Sequence, residues 1–306
     1  MSNPKAAGAA SSSWYEASAR QRLAALADPG SFHEFIGPEQ RETSPHLALF
    51  DLPEQFDDGM IIGRATLDGR AVLIAAQEGR FMGGAFGEVH GAKLTGLLRA
   101  ARQLGQDVLI LFDTGGVRLQ EANAGELAIA EIMRALVDLR LARRQVIGLV
   151  GGRAGCYGGG GLIAGCCSRL IISEPGRISV SGPEVIETNK GVEEFDSRDR
   201  ALVWRTMGGK HRYLIGGADI FVDDDSAAFR QAALTALKAK SGLDPARLQA
   251  EQQRLERRLQ RFGTARDARD IWAALGLDAP ADLPELPADS FLRKAAGHRE
   301  AADDAR

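Results

Sequence analysis

An α/β fold is predicted for this sequence, on three observations. The segments 107–112 and 145–150 are almost unbroken apolar runs, as expected of strands covered on both faces. Between them lies a long stretch with apolar residues at helical spacing. Glycines gather where a strand hands over to a helix.

Residues 1–13 are small and polar and are expected to be disordered. A helix is predicted over 14–27, stopped by Asp28, Pro29 and Gly30. The segment 31–58 is loop-rich, with Pro38, Pro45 and Pro53. Strands at 60–67 and 71–76 flank Asp68 and Gly69, a tight hairpin turn. After the loop Phe81-Met82-Gly83-Gly84, a helix over Glu88–Leu104 carries Val89, Leu94, Leu97 and Leu98, with Gly105 as its C-cap. The strand at 107–112 is broken by Asp113-Thr114-Gly115-Gly116. A helix over 120–143 follows, with Leu127, Ile132, Leu136 and Leu139 among its apolar positions. Then come the strand at 145–150, a glycine-rich loop at 151–161, a short helix at 162–167, and strands at 169–173 and 178–181.

The chain changes character after Gly242, which divides a domain at 14–242 from a helical extension at 243–306. Asp244 is an N-cap with Pro245 at the first helical position. Leu248, Leu255, Leu259 and Phe262 mark an amphipathic helix ending at Gly263. The segment 264–267 resembles a capping box for a second helix that ends near Gly276. Both helices are highly charged and read either as a solvated hairpin or as a docking surface for a partner.

With 306 residues, 44% hydrophobic and 26% charged, the composition is that of a soluble globular protein with a sizeable core. A net charge of -3 gives no basic excess for nucleic acid. The three cysteines, Cys156, Cys166 and Cys167, form neither a disulfide framework nor a zinc ribbon, and no metal is expected. Neither a secretory signal nor a membrane-length apolar run is present, so a cytoplasmic protein without a membrane partner is expected.

Three glycine junctions carry the chemistry: the first around Gly83 and Gly84, the second around Gly115 and Gly116, the third from Gly155 to Gly161. A helix N-terminus there presents unpaired N–H groups to an anion. No P-loop pattern and no nucleophile elbow occurs. Glycine without an adjacent nucleophile suits an oxyanion hole; the alternative is tight turns and close packing alone.

The run Gly155-Cys156-Tyr157-Gly158-Gly159-Gly160-Gly161-Leu162-Ile163-Ala164-Gly165 precedes Arg169-Leu170-Ile171-Ile172-Ser173-Glu174-Pro175. Together they resemble the second oxyanion loop, helix and strand of the crotonase superfamily. Phe81-Met82-Gly83-Gly84-Ala85-Phe86-Gly87-Glu88 resembles its first oxyanion loop. Asp113-Thr114-Gly115-Gly116-Val117-Arg118-Leu119-Gln120-Glu121 and Ser181-Gly182-Pro183-Glu184-Val185-Ile186-Glu187 resemble the carboxyltransferase branch, which includes acetyl-CoA carboxylase β subunits. Those bacterial β subunits carry an N-terminal zinc ribbon, and here no cysteine precedes Cys156. Trp204-Arg205-Thr206-Met207-Gly208-Gly209-Lys210-His211-Arg212-Tyr213 is similar to the β subunits of biotin-independent malonate decarboxylases.

The resemblance covers about residues 30–240 and implies a crotonase-like spiral of ββα units with a C-terminal helical extension. It implies a homologous γ subunit that shares the site, an acyl carrier protein, and an α subunit that is an acyl carrier protein transferase. The substrate would be a malonyl thioester on the carrier's dephospho-CoA-type prosthetic group, giving acetyl thioester and CO2. No permanently bound cofactor and no biotin would be needed. A biotin-dependent acyl-CoA carboxyltransferase subunit and a non-catalytic scaffold stay open as other readings.

By this resemblance Gly159, with Gly158 beside it, donates to the enolate oxygen, and Gly84 or its neighbour donates from the first loop. Gly155 and Cys156 are rival donors. Phe81, Met82, Gly83, Gly115, Gly116, Arg118, Gln120 and Tyr157 would line the substrate. Tyr157, Glu88 and His90 are candidates to deliver a proton or to fix a loop. Lys210, His211 and Arg212 would meet phosphates or an acidic carrier, or form a solvated turn.

Overall fold

The computed structural model describes residues 13–239 and 242–300. Of the segment expected to be disordered, only Ser13 is among them, and its hydroxyl donates to Asp224 Oδ2 at 2.5 Å. The rest of that expectation lies outside the described residues.

The strands are β1 (His33–Glu34), β2 (Met60–Leu67), β3 (Arg70–Gln77), β4 (Val108–Phe112), β5 (Val146–Val150), β6 (Cys156–Tyr157), β7 (Arg169–Ser173), β8 (Ile178–Ser179) and β9 (Ile220–Val222). All but β6 and β8 make one seven-stranded sheet in the order β1-β2-β3-β4-β5-β7-β9. The β2–β3 hairpin turns through Asp68 (φ 52°) and Gly69 (φ 74°), the positive-φ pair that a two-residue turn requires. From β3 onward every pairing in this sheet is parallel.

Helices fill the connections: α1 (Ala19–Leu26), α2 (Pro45–Leu49), α3 (Glu88–Leu104), α4 (Asn123–Leu141), α5 (Gly159–Cys166), α6 (Pro183–Lys190), α7 (Arg200–Met207), α8 (Gly209–Leu214), α9 (Ser226–Lys238), α10 (Pro245–Phe262), α11 (Ala268–Ala274) and α12 (Ala288–Ala295). In β4, Val108, Ile110 and Phe112 enter the core shared with α3 and α4. Leu109 and Leu111 enter the core shared with α1 and α9. Both faces are covered, which is why the strand reads as a continuous apolar run.

A short second layer crosses the C-terminal ends of the parallel strands. β6 pairs with β8 in parallel, and isolated bridges join Thr114 to Cys156 and Phe86 to Val117. Each unit is therefore a long strand, a short strand in the second layer, and a helix. β5–β6–α5 and β7–β8–α6 follow this plan, giving the ββα repeat.

Several boundaries differ from the sequence expectation. α1 begins at Ala19 because Ser18 and Gln21 form a capping box; Trp14 instead sits in a turn and stacks on Phe229 at 4.2 Å. α4 begins at Asn123 because Ala122, at φ 48°, breaks it from the short turn Leu119–Glu121. The glycine loop is shorter than expected, since β6 interrupts it and Gly159 to Gly161 form the first turn of α5. The second extension helix is capped by Asp267 and Asp270, so the capping box starts three residues later than the 264–267 reading.

The extension docks by residues other than its leucine stripe. Leu248, Leu255 and Leu259 are exposed, whereas Phe262, Trp272, Leu283 and Phe291 join the main core. The Lys210–Arg212 turn is neither solvated nor open to phosphate. Lys210 Nζ donates to Glu174 Oε1 (2.7 Å), Pro284 O (2.6 Å) and Leu286 O (2.7 Å). Trp272 Nε1 donates to His211 Nδ1 at 3.2 Å. Burial, with the charges of Arg212 and Arg258, pushes His211 down to about 3.

Trp272→Ala is expected to cost about 3–5 kcal/mol in urea denaturation, with a single transition because the extension shares the core. His211 is neutral when folded and takes up a proton below its ordinary pKa of 6.5 when unfolded. Its contribution is therefore complete above pH 6.5 and lost as pH falls toward 3. The stability gap between the native protein and His211→Gln is expected to narrow on acidification in that window, checked by denaturation at a series of pH values.

Candidate active site

The three glycine junctions lie against one another. A Cβ on Gly84 would sit 1.8 Å from Asp113 O, so the first loop touches the second. A Cβ on Gly158 would sit 3.1 Å from Gly116 Cα, so the second touches the third. Backbone bonds complete the joint: Gly115 N to Gly83 O (2.8 Å), Phe86 N to Gly116 O (2.8 Å), Thr114 N to Gly155 O (2.8 Å) and Tyr157 N to Thr114 O (3.0 Å).

These bonds decide which N–H groups are free. Gly84 N donates to Phe81 O (2.8 Å), Gly155 N to Gly152 O (3.2 Å) and Cys156 N to Arg177 O (2.8 Å). Those three expected donors are spent on holding the loops. Gly115 and Gly116 are spent too, the latter on Thr114 Oγ1 at 3.1 Å. Gly159 and Gly160 have no acceptor among the described residues, nor do Met82 and Gly83. Gly158 sits at φ 56° and caps α5, with its N–H turned along the β6–β8 ladder toward Ser179, so the N–H of Gly159 opens the helix N-terminus. In the first loop the free donors are thus Met82 and Gly83. Met82 holds φ 51°, a costly conformation for a side chain, of the kind found at ligand sites.

Asp113 lies beneath the loops. Its carboxylate takes Arg22 Nη1 at 2.8 Å and Ala154 N at 2.7 Å, with both side chains buried. Gly79 and Gly152 make room for it: a Cβ at either would sit 2.5 Å or 2.2 Å from its carboxyl carbon. Gln77 Oε1 accepts from Asp113 N (3.2 Å), and Gln77 Nε2 reaches Gly84 O (3.4 Å) and His90 Nε2 (3.2 Å). Sequence reasoning missed Arg22, Gln77 and Asp113. No local pattern marks a pair 91 residues apart.

The other expected residues divide. His90 is fully buried, and burial together with the charge of Arg118 holds its pKa far below the ordinary range. It is a neutral ring bridging Asp58 O (3.1 Å) and Gln77 (3.2 Å), a pairing that fixes a loop. Arg118 is withdrawn from substrate: Nη1 pairs with Asp58 (2.8 Å) and Glu121 (2.9 Å), and Nη2 donates to Asp58 O (2.8 Å). The Phe81 ring packs 5.4 Å from the Arg118 guanidinium. Gln120 and Glu88 are exposed at the rim, with Glu88 3.2 Å from His46 Nδ1. Tyr157 turns to the other side of β6, into a cluster with Phe195, Val203 and Met207, and burial raises its pKa.

Residues 16–252 match the carboxyl transferase domain family. The chain belongs to that family. It is similar to the malonyl-S-ACP:biotin-protein carboxyltransferase MADC of Malonomonas rubra, 37% identical over 92% of this chain and 95% of the relative. A chain of a Pseudomonas malonate decarboxylase hetero-tetramer, solved with malonate, superposes with TM-score 0.79 at 41% identity. That match covers 85% of this chain and 95% of the other. A chain of the Pseudomonas MdcD–MdcE hetero-dimer gives 0.65 at 36% identity, over 81% and 96%. In this member of the carboxyl transferase domain family, then, the second-layer loops form the candidate site, and Arg22 and Asp113 tie them to α1.

Arg22→Met strands a buried carboxylate and is expected to destabilise the fold by about 3–5 kcal/mol. Arg22→Met combined with Asp113→Asn is expected to recover part of that loss, measured as a coupling in a denaturation double-mutant cycle.

Proposed function

We propose that this chain is the β-type subunit of a malonate decarboxylase, acting on a malonyl thioester carried by an acyl carrier protein. One observation carries the reading. Two loops that touch a common third loop each present backbone N–H groups with no acceptor among the described residues, and the one thiol in these loops, Cys156, is buried in the core. In this reading the thioester carbonyl oxygen lies between Gly159, with Gly158 beside it, and Met82 and Gly83.

The chemistry follows from that placement. The bond between the carboxylate and the α-carbon breaks, CO2 leaves, and the electron pair moves onto the thioester oxygen as an enolate. Donors aimed at that oxygen lower the barrier, each by about 2.7–4 kcal/mol in known oxyanion holes. The α-carbon then takes a proton to give the acetyl thioester. Neither His90 nor Arg118 serves in that step, because both are committed to the scaffold.

A homologous γ-type partner covers the loops in this reading. Leu119 is 89% exposed, Val180 62% and Val185 52%, around the second-layer strands. Leu49 and Phe50 are also exposed, at the C-terminal end of α2, which packs against the Leu119 turn. Apolar surface gathered at a site in this way marks a protein interface. The Pseudomonas hetero-dimer and hetero-tetramer support a partner of this kind. The transferase-type α subunit, the dephospho-CoA-type prosthetic group and a cytoplasmic location belong to the same proposal. Among the described residues no helix is long and apolar enough to cross a membrane.

The fate of the carboxyl group separates two readings. The 204–213 segment favours release of CO2 without biotin. The Malonomonas relative, whose name specifies a biotin protein as acceptor, favours transfer. CO2 release by the complex is expected to be unchanged by avidin; loss of activity with avidin would select the transfer reading.

Gly159→Val would push its side chain against Ile129, 2.6 Å from the position of a Cβ, and shift the donor. CO2 release is expected to fall about 100-fold, with the partner still bound on gel filtration. Full activity in that variant would favour a scaffold role.

A further inference from the structure

Arg177 holds the third loop at both ends. It is buried and directly precedes β8. Its carbonyl accepts from Cys156 N at 2.8 Å, where the loop leaves for Gly158 and Gly159. Its guanidinium reaches back to where the loop begins: Nη2 donates to Gly152 O (3.5 Å) and to Arg153 O, and Nε donates to Pro175 O (3.3 Å). Gly152 O also accepts from Gly155 N at 3.2 Å. One residue thereby closes the segment 152–156.

The side chain is held in turn by the 204–213 segment. The Arg177 guanidinium lies over the Trp204 ring, 4.5 Å from its centroid, and that of Arg200 lies 5.2 Å from it. Trp204 is on α7, which ends at Gly208, and an isolated antiparallel bridge joins Gly208 to Arg177. A cavity of 210 Å³ lined by Trp204, Trp272 and Lys210 borders the ring, so close packing alone does not fix it. The guanidinium contacts do.

Burial of an arginine does not by itself call for this arrangement. Buried charges are ordinarily paired with opposite charges, as Arg22 is with Asp113 and Arg118 with Asp58. Arg177 instead directs its hydrogen bonds at main-chain carbonyls of the glycine loop and of its own turn. Residues 151, 152, 155 and 158–161 are glycine, the residue that loses most conformational freedom on ordering. Such a segment keeps one geometry only where outside groups hold it. A planar fork of fixed donors does that; a lysine ammonium, a point charge on a flexible stem, does not.

We infer that Arg177 is a positioning residue for the donor at Gly159, and that Trp204 acts through it. The inference rests on the malonyl-thioester reading. The enolate charge develops only in the transition state, so a misplaced donor is felt in kcat and not in substrate binding. A misplacement of about 1 Å in a catalytic group lowers the rate on the order of 100-fold.

The test uses the assembled complex and steady-state CO2 release from the malonyl thioester of an acyl carrier protein. Arg177→Met is expected to lower kcat about 30-fold or more, with KM changed by less than about twofold and the partner still bound on gel filtration. Arg177→Lys is expected to lose about as much, because the fork and not the charge holds the loop. Trp204→Ala is expected to lower kcat about tenfold, and Trp204→Phe to return it to within about twofold of native. In the double variant, Trp204→Ala is expected to add less than about twofold to the loss in Arg177→Met; a full additional tenfold, about the single-variant effect, would overturn the link between them. Native kcat in Arg177→Met, or an effect carried wholly by KM, overturns the inference and leaves the decarboxylase reading standing. Where circular dichroism shows that Arg177→Met does not fold, the Trp204 variants decide: native kcat in Trp204→Ala, or an equal loss in Trp204→Phe, overturns the inference. If the native complex releases no CO2 from the thioester, the decarboxylase reading itself fails and the inference falls with it.

Discussion

The buried ion pair between Arg22 and Asp113 is the constraint on which the candidate site depends. A carboxylate placed under three glycine loops is costly unless charge and hydrogen bonds meet it. Arg22 supplies the charge from α1, and Ala154 N supplies a hydrogen bond from the third loop. Gln77 ties the backbone of Asp113 to the first loop through Gly84 O. One carboxylate thereby sets the positions of all three loops. The glycines at 79 and 152 are read most simply as space for that carboxylate.

Above it, hydrogen-bond bookkeeping separates structure from chemistry. Buried backbone groups in native proteins are nearly always paired. The N–H groups of Gly84, Gly115, Gly116, Gly155 and Cys156 obey that rule and knit the second layer. The free donors remain at the start of α5 and in the turn at Met82 and Gly83, where the helix dipole and the backbone strain also lie. The same logic removes the charged candidates. His90 and Arg118 stand close to the loops in sequence, yet both are held by Asp58, with Gln77 on His90 and Glu121 on Arg118.

The extension behaves as part of the same body. Its anchors, Trp272 and Phe291, enter the core, and Lys210 is consumed by two of its carbonyls. A helix can be amphipathic in sequence and still turn its leucines outward, as α10 does, when other residues on neighbouring turns do the docking. The apolar surface left open on this chain lies mainly around the second-layer loops and on α10, consistent with a subunit that works inside an assembly.

Periodicity and glycine placement in the sequence determined the strand–helix order, the hairpin at Asp68 and Gly69, and α3 almost to the residue, because these depend on local φ/ψ preference and on burial of one helical face. The resemblance to the crotonase loop, rather than periodicity, put Gly159 and Gly158 forward as candidate donors. Tertiary structure alone decided the rest. Whether an N–H is free depends on which carbonyl another loop brings to it, and that removed Gly84, Gly155 and Cys156 and brought in Met82. Whether a charge is free depends on partners far away in the chain, as Arg118 has in Asp58 and Lys210 in Pro284. Arg22 was invisible for the same reason: a buried pair is a property of two surfaces that meet only in the folded chain.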